Sequence, residues 1–235
     1  MSWSWKAGCR KWREASFATP ASYPSLQAPL ELAPTVAFGY FARDWYLEGQ
    51  NLSAWFIQKA VSVLSRGGVL AYPTEAVWGL GCDPSCEDAV NRILQLKRRP
   101  WRKGLILVSG QIEHFSQLLD RLPQQQKDQI LATWPGPVTW VVPDPGVYAP
   151  LVRGAHDAIA IRVTAHPLVV ELTKAFGGPI VSTSANPATR EPARTLFDCR
   201  RYFKSGVDHY LPGKLSGLSK PSQIRDAATG AILRQ

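Results

Sequence analysis

The sequence predicts an α/β fold with a mixed sheet, and three observations carry that prediction. Short apolar runs, such as Gly104–Val108 and Val138–Val142, have the length of buried strands. Stretches with an apolar face at helical spacing alternate with them along the chain. No run approaches the roughly 18 apolar residues that a membrane span requires, and 45% hydrophobic with 19% charged residues is the balance of a globular chain.

Residues 1–51 stand apart. They hold four of the nine tryptophans (Trp3, Trp5, Trp12 and Trp45) and several prolines, with no sustained period. Met1 is the only methionine, so one expectation is a true start near Leu52 at a non-methionine codon. Another is an organelle-targeting segment, because Lys6, Arg10, Lys11 and Arg13 sit among small residues. Residues 1–51 are thus expected to be an extension, disordered or the product of a misplaced start, and residues 52–235 the folded domain.

From Leu52 the elements follow in order. Ala54–Ser65 reads as an amphipathic helix stopped by Gly67-Gly68, and Val69–Tyr72 as a buried strand ending at Pro73. Trp78-Gly79-Leu80-Gly81 then reads as a glycine-spaced loop, which forms either a pocket wall or an ordinary connection. Ser85 and Asp88 suggest a capping box for a helix over Glu87–Arg98, which Pro100 ends by disfavouring helical geometry before it. Leu105–Ser109 is a strand, and Gln124–Thr133 a helix that stops at Trp134-Pro135-Gly136-Pro137. Val138–Val142 and Ile159–Val163 are strands, and Pro167 opens a helix to Phe176. Ile180–Ser182 is a short strand, Thr195 with Asp198 caps a further helix, and Ile224–Arg234 makes a strand pair around Thr229-Gly230.

The formal charge of +9, from 27 Lys+Arg against 18 Asp+Glu, favours polyanionic partners such as nucleotides or RNA. The same balance also serves solubility alone. Four cysteines (Cys9, Cys82, Cys86 and Cys199) and no signal-peptide pattern suit a reducing, cytoplasmic setting. Cys82 and Cys86 lack the further ligands of a zinc site. His114, His156, His166 and His209 are scattered and read as surface or hydrogen-bonded residues.

Two segments invite chemistry. Lys97-Arg98-Arg99-Pro100-Trp101-Arg102-Lys103 puts five cations in seven residues. The helix dipole accounts for Lys97 and Arg98; the cations after the proline suit phosphate oxygens better. Ser182-Thr183-Ser184-Ala185-Asn186, placed directly after a strand, can bind phosphate, ribose or a metal-bound water, although such loops also occur for turn reasons. Neither a Walker loop nor a G-x-G-x-x-G fingerprint is present, so an ATP site here is of another kind.

Six blocks in order resemble the YrdC/TsaC-type threonylcarbamoyl-AMP synthases, in their short bacterial form. They are Tyr72-Pro73-Thr74-Glu75-Ala76-Val77-Trp78-Gly79-Leu80-Gly81; Lys97-x-Arg99-Pro100-x-x-Lys103-Gly104-Leu105; Trp134-Pro135-Gly136-Pro137-x-Thr139; Arg162-Val163-Thr164-x-His166-Pro167; Ser182-Thr183-Ser184-Ala185-Asn186; and Pro221-Ser222-x-Ile224-Arg225-Asp226. The resemblance implies a YrdC-like twisted, open mixed sheet with flanking helices around a basic cavity. It implies that L-threonine, bicarbonate and ATP, with Mg2+, give threonylcarbamoyl-AMP and pyrophosphate. A tRNA threonylcarbamoyl-transferase complex of the TsaB/TsaD/TsaE kind would then modify the adenosine beside the anticodon of tRNAs reading codons that begin with A. By the family pattern the catalytic residues would be Lys97, Arg99 and Lys103, and Arg99, Lys103, Ser182, Ser184, Asn186 and Arg234 would hold the nucleotide. Thr74, Arg162 and Ser222 would hold threonine, and no protein ligand to a metal is assigned.

Some positions depart from the pattern. Longer relatives carry a threonine where Ala76 stands and a histidine where Val108 stands. Ala165 replaces an acidic residue, and Ser216-Gly217-Leu218-Ser219-Lys220 lacks a Gly-Gly-Arg, with Lys220 as a substitute for the lost charge. Two other functions fit parts of the sequence. A non-enzymatic double-stranded RNA- or tRNA-binding protein of this fold fits the charge but needs no hydroxyl segment beside a phosphate cluster. The carbamoyl-transfer module of hydrogenase maturation normally sits in a much longer chain.

Overall fold

A computed structural model describes residues 40–219 and 221–234, with side chains from Ser53 onward. Lys220 and all but the last residues of the expected extension lie outside these. The chain divides into two units, Met1–Trp55 and Phe56–Gln235, and the second holds the sheet and the site.

Helix α1 spans Tyr40–Ser65; it begins earlier than the expected Ala54 and ends at the expected Ser65. The two glycines that follow close it. Gly67 takes a positive φ of 74°, and the amides of Gly67 and Gly68 donate to the carbonyls of Leu64 and Val63. Strand β1 (Leu70–Pro73) then pairs antiparallel with β2 (Trp78–Gly81). Residues 78–81 are therefore a strand and not the expected loop. The glycines serve close approach: a Cβ on Gly81 would lie 2.6 Å from the Val181 carbonyl and 2.8 Å from the Tyr72 ring.

Seven more strands complete the sheet: β3 (Ile106–Ser109), β4 (Val138–Pro143), β5 (Ala158–Val163), β6 (Ile180–Ser184), β7 (His209–Tyr210), β8 (Gln223–Asp226) and β9 (Ile232–Arg234). The spatial order is β7-β1-β2-β6-β3-β5-β4-β8-β9. The pairs β1/β7, β3/β5 and β4/β8 are parallel and the others antiparallel, so the sheet is mixed as expected. Helices α2 (Glu87–Lys97), α3 (Ser116–Leu119), α4 (Gln124–Leu131), α5 (Pro150–Arg153), α6 (Pro167–Phe176) and α7 (Leu196–Phe203) flank it. Ile57, Ala60 and Leu64 of α1 join Val169 and Leu172 of α6 over Leu70, Tyr72, Val108 and Ile180 of the strands. Each buried Leu, Ile or Val contributes about 1.5–3 kcal/mol by leaving water, and the helices cover one end of a sheet face: Val108 and Ile180 share that face with Ile106 and Ser182, where the site lies.

The two expected caps fare differently. At α7 the Thr195 hydroxyl accepts from the Asp198 amide (3.0 Å) and donates to its carboxylate (2.7 Å), as expected. At α2 the expected box does not form. The Ser85 amide and hydroxyl instead donate to Asp83 Oδ1 (2.8 and 2.6 Å), and Cys86 stands at the N-cap without a side-chain bond. An acid two residues upstream offers a shorter local loop than Asp88 does, and it wins the serine. Among the described residues no helix is long and apolar enough to cross a membrane.

Candidate active site

All ten residues proposed from the sequence line one cavity of about 840 Å³: Thr74, Lys97, Arg99, Lys103, Arg162, Ser182, Ser184, Asn186, Ser222 and Arg234. That volume suits a ligand cleft of about 300–1,000 Å³. Its floor is one face of the sheet. Ala158, Ala160 and Arg162 alternate along β5 and all line it, with Ile106 opposite Ala160 and Ser182 opposite Ile106. The two alanines leave the volume open.

The hydroxyl segment is a strand rather than the expected post-strand loop. Ser184 pairs with Gly79 and Thr183 with Leu80, so β6 runs two residues past Ser182. Its side chains are held from behind. Tyr72, a neutral donor because burial pushes its phenol well up, gives its hydrogen bond to Ser182 Oγ at 2.9 Å. Ser184 Oγ donates to Asn186 Oδ1 at 2.6 Å, and Asn186 Nδ2 donates to the Arg190 carbonyl at 2.7 Å.

Lys97, the last residue of α2, is buried against this segment. Its ammonium donates to the Ser184 carbonyl, the Asn186 carbonyl (3.0 Å) and Asn186 Oδ1 (3.3 Å). An ammonium has three protons, and all three are committed. Through these bonds Lys97 holds Ser184 and Asn186 in place. Burial, then the charge of Arg99, brings its pKa down to about 8.

The chain leaves α2 through Arg98, whose left-handed φ of 51° closes the helix and turns residues 99–103 out of its axis. A non-glycine residue there costs about 1–2 kcal/mol. Arg99 folds back, Nε and one terminal nitrogen donating to the Gly104 carbonyl at 3.1 and 2.9 Å. Gly104 itself has φ of 60°, and a Cβ there would sit 2.5 Å from the Arg153 carbonyl. Arg234, on the edge strand β9, donates to the Ser222 carbonyl at 3.0 Å. Burial, then the charge of Arg234, lowers the pKa of Arg99, and burial lowers that of Arg234. Among the described residues neither is in an ion pair, nor is Lys103. Adjacent, partly desolvated guanidiniums without a carboxylate make a receptor for an anion.

The other end of the cavity is balanced. Arg162 donates to Glu75 Oε2 at 2.9 Å, and Thr164 Oγ1 donates to Glu75 Oε1. Burial alone would raise the Glu75 carboxyl, but the Arg162 charge and the Thr164 hydroxyl outweigh it and hold the pKa below its ordinary value. Thr74 closes a turn by donating to the Val77 carbonyl (2.7 Å), and Ser222 shares a hydrogen bond with buried Thr139 (2.9 Å).

Three ionisable lining residues outside the basic cluster carry no role in the sequence reading: Glu75, Arg153 and His156. Glu75 stands inside the first motif, yet its partner is 87 residues away. Arg153 and His156 come from the segment that docks on the basic turn, where the amides of Ala155 and Leu105 donate to the carbonyls of Arg102 and Val152. Only Pro150, well placed at the first turn of α5, marks that segment in the sequence. Among the described residues no group of three or more His, Cys, Asp or Glu side chains could hold a metal. Cys82 and Cys86 are buried, and burial pushes the Cys82 thiol well up.

Comparison with known proteins gives a consistent result. A family model named Sua5/YciO/YrdC, described as "Telomere recombination", matches residues 62–235. A threonylcarbamoyl-AMP synthase of Halorhodospira halophila is 50% identical over 179 residues, which are 76% of this chain and 94% of the relative. The structure of P. abyssi Sua5 complexed with L-threonine superposes with a TM-score of 0.69 at 28% identity. That match covers 73% of this chain and 51% of the other, so the chain spans about half the length of that protein. E. coli YciO shares the fold, with a TM-score of 0.68 at 22% identity over 78% of this chain and 89% of its own.

Proposed function

The chain belongs to the Sua5/YciO/YrdC family and is a threonylcarbamoyl-AMP synthase, a nucleotidyltransferase of tRNA modification; we propose that its two cavity ends divide the substrates between them. ATP lies along the hydroxyl strand, with its phosphates against Arg99, Lys103 and Arg234 and its remaining polar groups on Ser182, Ser184 and Asn186. L-Threonine lies at Arg162, with Thr74 and Ser222 beside it. The observation that carries this division is electrostatic: among the described residues Arg99, Lys103 and Arg234 have no carboxylate partner, whereas Arg162 has Glu75.

The chemistry asks little of the protein beyond position and charge. Threonine's amine, carbon dioxide drawn from bicarbonate, and ATP yield threonylcarbamoyl-AMP and pyrophosphate, the carbamate oxygen attacking the α-phosphate. Negative charge grows on phosphate oxygens in that step, and fixed cations in a partly dry cavity stabilise it without reorganising. No protein nucleophile is needed. The residues present do not build a magnesium cage, since Glu75 is the one carboxylate among the described lining residues and is already bonded twice. Mg2+ enters as the companion of the triphosphate, held by its oxygens and by water. The product passes to a cytoplasmic tRNA threonylcarbamoyl-transferase complex.

The experiment is threonine-dependent pyrophosphate release from ATP, magnesium, bicarbonate and L-threonine, with serine replacing threonine as a control. Release that requires threonine, and that Arg99→Ala abolishes, supports this division. ATP turnover indifferent to threonine, or untouched by that substitution, would overturn it.

A further inference from the structure

The cavity is basic to an unusual degree. Lys97, Arg98, Arg99, Lys103, Arg153, Arg162 and Arg234 line it, and Glu75 is the one acid among the described lining residues. Glu75 is 8% exposed. A buried carboxylate is costly unless it is paired, and this one is paired without being saturated. Two carboxylate oxygens offer about four acceptor sites; Arg162 takes one on Oε2 and Thr164 one on Oε1, and with the Glu75 amide also bonding the carboxylate one site is left. Arg162 in turn commits one donor of its five to Glu75.

An amino acid arrives as a zwitterion. Its carboxylate finds many cations here, but its ammonium would meet repulsion everywhere except beside Glu75. A cation and an anion held 2.9 Å apart match the opposite charges that an α-amino acid carries on adjacent groups. We propose that Glu75 is the receptor for the α-ammonium of the amino-acid substrate, so that Arg162 and Glu75 together read the zwitterion. This rests on the reading that L-threonine binds at Arg162. It makes the site selective for α-amino acids over hydroxy acids, whose single charge any arginine of the cavity could hold. It also separates the amino group from the phosphate cations, which keeps that group next to the Arg162-bound end of the ligand while the nucleotide occupies the other.

The test compares two ligands: L-threonine, and (3R)-3-hydroxybutanoate, which is threonine without its amino group. Binding of each to the full chain is measured calorimetrically at neutral pH with ATP present, for the native protein and for Glu75→Gln. The native protein prefers threonine. In E75Q that preference falls by about tenfold or more, the worth of a hydrogen bond to a charged group, while hydroxybutanoate binds at least as well as before. If Glu75 only props up Arg162, both ligands weaken together and the ratio stays, which would overturn the proposal. ATP binding reports whether E75Q is folded. Thr164→Val keeps the carboxylate while removing the hydroxyl that bonds its Oε1 and accepts from the His166 amide; it retains the preference for threonine, and its losing that preference as E75Q does would assign the effect to packing and sink the idea. Failure of native threonine to bind at all would fall instead on the reading of the site.

Discussion

The two ends of the cavity treat charge in opposite ways. Around Arg99 and Arg234 the guanidiniums are partly buried, the charge of Arg234 adds to burial in lowering the affinity of Arg99 for its proton, and neither has a carboxylate partner among the described residues. Around Arg162 the same side chain is matched by Glu75 and backed by Thr164. The first arrangement holds electrostatic strain that only an anion relieves, so it suits a polyanion and a transition state on phosphate. The second is neutral overall and rigid, so it suits a small ligand with no net charge, chosen by geometry. One residue type serves both because its neighbours differ.

The largest effect expected is at the unbalanced end. Arg99→Ala lowers kcat/KM for threonine-dependent pyrophosphate release by about 100-fold or more, the usual loss when a fixed transition-state donor is removed. Arg99→Lys recovers little, because a point charge lacks the fork that reaches both the Gly104 carbonyl and a phosphate. Recovery to near-native rates in the lysine variant would break the distinction between the two ends.

A smaller effect concerns pH. The ammonium of Lys97 loses its charge above about 8, because burial and Arg99 both disfavour the protonated form. Below that value it supplies three donors to Ser184 and Asn186; above it, one is lost. KM for ATP is therefore expected to rise by several-fold between pH 7.5 and pH 9.5 while nucleotide charge stays constant. Glu75, held below its ordinary pKa, stays ionised throughout that range. A flat ATP profile would remove Lys97 from the positioning of the nucleotide.

Salt sharpens the contrast further. Raising ionic strength from about 0.05 to 0.5 M shortens the screening length to a few ångströms. The dissociation constant for ATP should rise by about threefold or more, and that for threonine by less than twofold, as titrations at each salt would read. Equal sensitivity would mean that the Arg162–Glu75 pair is not the neutral unit described. The smallest effect lies outside both ends. Thr195→Ala removes the hydroxyl cap of α7 and costs about 1 kcal/mol of stability, seen as a shift in thermal unfolding, with unchanged kinetics.

Local chemistry made much of this legible. Pro167 marks the first turn of α6 and Gly67-Gly68 the end of α1, each at the expected place. The Thr195–Asp198 cap and the strand pair around Thr229-Gly230 also form as expected. Where two local partners compete, sequence reasoning is weaker: Ser85 takes Asp83 rather than helping to cap α2. Glycine spacing was ambiguous in the same way, since Gly79 and Gly81 permit a loop but here admit the Tyr72 ring beside a strand.

By itself the sequence determined the class of fold and the order of its elements, because period and turn chemistry are local properties of the chain, while the set of polar residues expected to share a site came from the resemblance of its motif blocks to one family. Only the tertiary structure decided what those residues do to one another. That Lys97 spends its protons on carbonyls 87 and 89 residues away, and that Glu75 meets Arg162, depend on which strands lie side by side. Pairing in a mixed sheet sets those neighbours, and charge acts through space, not along the chain.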